Sequence, residues 1–122
     1  MVRLKRYKEG VWFSIPGLDG VRVKVRPIYH SQVTKIMNKH RKKVLVGDKV
    51  VDDYDEAAIA FDLFNYTLED FEGIDAEGDV KTAIFDCDPL REFISEKAGE
   101  LKKKYEEEFE EDLKNSENSQ GG

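Results

Sequence analysis

The side chains with the most chemical potential in this chain are His30, His40, the single cysteine Cys87 and several runs of carboxylates. A structural zinc site needs four Cys or His ligands in tight groups, and two histidines ten residues apart with one distant cysteine do not supply them. Asp52, Asp53, Asp55 and Glu56 suggest calcium by charge, yet they lack the spacing and the glycine of a calcium loop. Helix capping by Asp52 or Asp53 accounts for them more simply. Nucleophilic catalysis needs an activating base beside the nucleophile; Cys87 is flanked by Asp86 and Asp88, and no serine sits in a glycine-flanked elbow. Gly17 and Gly20 separate two strand-like runs rather than a strand from a helix, so they form no phosphate cradle. No catalytic residue, metal ligand or cofactor is expected, which makes this a binding protein and not an enzyme.

Two sets of residues carry binding chemistry. Arg22, Lys24 and Arg26 alternate with valines, so they share one face of a strand; with Lys39, Arg41, Lys42 and Lys43 they suffice to track a phosphate backbone. The net charge of -6 argues against nucleic acid. Residues 1–50 hold 13 of the 20 Lys and Arg but 3 of the 26 acids, and the simpler reading is that the two halves of the chain neutralise each other. The second set is Leu101, Tyr105, Phe109 and Leu113, an apolar stripe within the run Lys102-Lys103-Lys104-Tyr105-Glu106-Glu107-Glu108 and beyond. A stripe of this kind on a protruding helix is a docking face for another helix or a seam between copies of one chain.

The elements that must position these residues follow from periodicity. Val11 to Ile15 and Val21 to Pro27 form a hairpin around Pro16, Gly17 and Gly20, with the valines of the second strand turned inward. Ser31 caps a helix to about Lys43, on which Val33, Ile36, Met37 and His40 share an apolar face that packs His40. Val44–Val46 and Lys49–Val51 flank Gly47-Asp48 as a short second hairpin. Tyr54 to Leu68 is apolar on nearly all sides, the pattern of a central, buried helix. Residues 69–81, with two glycines and six acids, read as a loop pinned by Phe71 and Ile74. After a single turn over Thr82–Asp86, Asp88-Pro89 opens the last helix, which runs to about Leu113. Its 25 residues span nearly 40 Å at about 1.5 Å per residue, more than so small a domain can cover.

The expected architecture is therefore α+β: N-terminal hairpins packed with about three helices and a long C-terminal helix. Residues 1–101 form one globular domain, 102–114 protrude, and 115–122 are a disordered tail. No apolar run approaches the ~18 residues that cross a bilayer, and the one cysteine fits a reducing, cytoplasmic setting without membrane partners.

Asp70-Phe71-Glu72-Gly73-Ile74, the acidic glycine-containing segment after it, and Asp88-Pro89-Leu90-Arg91-Glu92-Phe93-Ile94 resemble, over about Val11 to Leu101, the small tail assembly chaperones of long-tailed bacteriophages and prophages. That group more often carries tryptophan at the position of Phe71 and a proline-rich loop after it. The resemblance implies a non-enzymatic protein of the bacterial cytoplasm that escorts the long helical tape-measure protein, brings tail-tube subunits to it, and self-associates as an oligomer. A structural virion component, of the tail or the head-tail connector, is the alternative; a nucleic-acid-binding regulator is a third. On this reading Leu101, Tyr105, Phe109, Leu113, Arg22, Lys24, Arg26 and Phe71 are the candidate partner-binding residues.

Overall fold

The computed structural model describes Leu4, Arg6 and residues 9–120, the last five in backbone only. Arg3, Lys5 and Lys8 of the basic start, and Gly121-Gly122 of the expected tail, lie outside the described residues. The fold is α+β, with five strands and four helices in the order β1 (Val11–Ser14), β2 (Arg22–Val25), α1 (His30–Lys39), β3 (Arg41–Val46), β4 (Lys49–Tyr54), α2 (Glu56–Thr67), β5 (Leu68–Glu72), α3 (Val80–Asp86) and α4 (Asp88–Gln120).

The first hairpin forms where the alternation places it, with Val11 opposite Val25 and Phe13 opposite Val23. Its second strand is the centre of a three-stranded antiparallel sheet ordered β1-β2-β5. Residues 68–72, expected to end a helix and begin a loop, are that third strand: Val25 faces Leu68, Val23 faces Phe71 and Arg22 faces Glu72, with a register shift at Lys24/Val25. Two of the acids that make this segment look unstructured, Glu69 and Glu72, answer the cations of β2. Gly73 then turns the chain at φ 77. A Cβ on Gly73 would run into the carbonyl oxygen of Gly20, so only glycine fits where this turn crosses the hairpin loop.

α1 ends at Lys39, four residues short of the expected Lys43, because Arg41–Lys43 extend as strand β3. Tyr29, not Ser31, is its N-cap and contributes no side-chain cap bond. The second hairpin is correspondingly longer, pairing Arg41 with Tyr54 and Val46 with Lys49. Gly47 at φ 63, with Asp48 at negative φ, has the signs of a type II′ turn, which accepts the Gly-Asp order. Asp52 and Asp53 lie in β4, and Asp55 caps α2 through Oδ1, which accepts from the Ala58 N–H at 3.1 Å. Asp79 caps α3 in the same way, accepting from the Thr82 N–H at 2.9 Å and its hydroxyl at 2.6 Å.

The core gathers Val23 and Val25 of β2, Leu68 of β5, Phe64 of α2, Ile84 of α3, and Ile94 and Ala98 of α4. α4 starts at Asp88 as Asp-Pro requires, and continues helical through Gln120, where the sequence suggests an end near Leu113 and a disordered tail from Asn115. α2 departs from the expected central helix, since only Phe64 and Thr67 are buried along it.

Candidate functional site: charged sheet face, groove and overhanging helix

Arg22 and Lys24 of β2, and Arg26 just past its end, each meet a carboxylate on β5. Arg22 Nε and Nη2 donate to Glu72 Oε2 at 3.0 and 2.6 Å while the guanidinium lies 4.5 Å from the centre of the Trp12 ring. Lys24 Nζ stands 3.6 Å from Glu69 Oε2, and Arg26 Nη1 is 3.9 Å from Glu69 Oε1. Glu69 Oε2 also accepts from the Gly10 N–H at 2.7 Å. These three cations are thus each paired with an acid of β5, so part of the charge asymmetry of the sequence is answered here. Lys42 and Lys43 are placed opposite Asp53 and Asp52 by the β3–β4 register. Phe71 is likewise a structural residue, half-buried against the core and facing Val23.

His40 does not lie on an apolar face. Its Nε2 pairs with Asp62 Oδ2 at 2.5 Å, and Lys39 Nζ approaches the same oxygen at 3.4 Å. The hydrogen bond from His40, reinforced by the charge of Lys39, holds the Asp62 carboxyl below its ordinary range. The backbone of His40 accepts from the Asp55 N–H at 3.2 Å, so the pair pins the base of the second hairpin to α2. Cys87 closes α3 as its C-cap, and its N–H donates to Ala83 and Ile84 carbonyls.

No family model, curated protein or solved structure matches this chain.

Two surfaces along α4 have no cover within the described residues. The first is α4 beyond its body. Leu101 is buried, and Tyr105 is half-buried in an edge-to-face contact with Tyr29 at 5.4 Å. Phe109 and Leu113 are 38% and 45% exposed. Of the four stripe residues named from sequence, Leu101 and Tyr105 are covered, wholly and in part, while Phe109 and Leu113 are exposed. The second surface is a groove of about 530 Å³ between α1, α2 and α4, lined by Ile28, Val33, Leu63, Ser95, Gly99 and Lys102 among others. Sequence reasoning missed it, although Gly99 was a signal, since a glycine inside a helix costs about 1 kcal/mol against alanine. Leu45 and Val50, opposite one another on the second hairpin, are also exposed.

Proposed function

We propose that this chain is a non-catalytic assembly protein, a tail assembly chaperone that holds a long helical partner, the tape-measure protein, and presents tail-tube subunits to it. The observation that carries the reading is the apolar stripe of α4, which continues past the last residue its own body covers onto exposed Phe109 and Leu113. Amphipathic helices with anchors at i and i+4 recognise helical or grooved partners, and the acids around Phe109 keep the free stripe soluble. The resemblance of residues 70–74 and 88–94 to that family supplies the identity of the partner. The internal pairing of Arg22, Lys24 and Arg26 favours a protein partner over nucleic acid.

Co-expression with candidate tape-measure and tail-tube proteins tests this. The full chain should retain the long helical protein, and a chain ending at Tyr105 should lose it. Undiminished retention by the shortened chain refutes the role of the overhang. Abundant copies in finished particles would instead make the chain a structural virion component.

A further inference from the structure

α2 is apolar on nearly all sides, yet Ala60 and Leu63 face an open groove rather than a core. The opposite wall of this groove is α4, through Ser95, Gly99 and Lys102; of the two cations lining it, Arg91 is held by Asp88 at 2.8 Å, which leaves the charge of Lys102. Farther along the same helix stand exposed Phe109 and Leu113, surrounded by Glu106, Glu107, Glu108, Glu110, Glu111 and Asp112. A cationic apolar groove and an acidic apolar helix end are complementary in shape and charge, and one chain carries both.

Their positions along α4 show how they meet. Ser95, Gly99, Lys102, Glu106, Phe109 and Leu113 succeed one another at alternating intervals of four and three residues, which puts them on a single helical face. If two such helices run antiparallel about a two-fold axis at residue 104, Ser95 of one faces Leu113 of the other, Gly99 faces Phe109, and Lys102 faces Glu106. The register sets the smallest residue against the largest and each cation against an acid. Nothing lies within 4 Å of where a Cβ on Gly99 would sit, so the space for the incoming ring exists.

We infer that the occupant of the groove is a second copy of this chain: α4 forms an antiparallel, two-fold symmetric seam in which Phe109 and Leu113 of each copy enter the groove of the other. The two-fold makes the exchange reciprocal, so the groove and the helix end of both copies are buried in one contact. The helical partner of the proposed function would compete with the second copy for Phe109 and Leu113, but the seam does not depend on that partner and is tested on the purified full chain alone.

Light scattering should give twice the 14.1 kDa chain mass. Phe109→Glu, at an exposed position, should weaken the dimer by about a hundredfold or more while leaving the far-ultraviolet circular dichroism unchanged. Direction is read by disulfide trapping in a Cys87→Ser background. Copies with Ser95→Cys mixed with copies with Leu113→Cys should cross-link across the seam. Each alone should not, since two Ser95 positions lie about 27 Å apart along the pair. A chain that stays monomeric at every concentration, a dimer indifferent to Phe109→Glu, self-cross-linking of either variant, or no cross-link in the mixture overturns the seam.

Discussion

Arg26 lies over the ring of Tyr66, 3.9 Å from its centre, and donates through Nε to the Tyr66 carbonyl at 2.6 Å. Its backbone N–H reaches the next carbonyl, Thr67, at 3.0 Å. One residue past the end of β2 thus fastens the sheet to the end of α2, using the flat guanidinium both as a stacking surface and as a donor. Arg26→Lys keeps the charge and loses both contacts. Urea unfolding should show a loss of about 1–2 kcal/mol, whereas Arg22→Ala, at a site half open to solvent, should cost no more than about 1 kcal/mol.

Gly73→Ala should be among the most damaging single-methyl changes in the chain. The left-handed φ costs about 1–2 kcal/mol for any residue with a Cβ, and the added carbon must displace the Gly20 backbone. A loss above about 2 kcal/mol is expected in the same assay. Gly78→Ala, with similar φ and nothing near its Cβ, should show the conformational cost alone.

Asp62 titrates below its ordinary value of 3.8 because His40 and Lys39 stabilise the carboxylate. A carboxyl whose folded value is depressed adds stability that is fully present above its unfolded value and is lost as the pH falls through the folded one. Asp62→Asn should therefore destabilise the protein at pH 7, by about 1 kcal/mol for a partly exposed charged hydrogen bond. The gap between the variant and the parent should close on acidification below about pH 4. A gap unchanged at pH 3 would show that the pair contributes nothing.

Gly99→Ala separates the fold from the seam. In the Phe109→Glu background the extra methyl should raise stability by about 0.5–1 kcal/mol, as alanine does inside a helix. In the parent chain Gly99→Leu should fill the space opposite Phe109 and shift the dimer toward monomer, read by sedimentation velocity.

The elements legible in the sequence are those whose causes are local. Alternating Val and Lys/Arg over Val21–Arg26 specified a strand with its valines inward, and Val23 and Val25 are fully buried. Asp88-Pro89 specified a helix start, which is where α4 begins. The long apolar spacing from Leu90 to Leu113 implied a helix that outruns its domain, and Phe109 and Leu113 are exposed on it. Even the segregation of charge was readable, though not its geometry.

What the tertiary structure alone decided are the contacts between segments distant in the chain. Leu68–Glu72 has the composition of a loop and becomes a strand because β2, more than forty residues earlier, offers an unpaired edge lined with cations that its acids satisfy. Arg41–Lys43 could continue a helix by composition, and extends instead because β4 pairs with it along its whole length. α2 looked like the centre of the core because hydrophobicity counts faces without saying what lies against them; one of its faces opens on the groove. A strand edge, an ion pair and a groove each require two segments in register, and the energy that selects them arises only when both arrive.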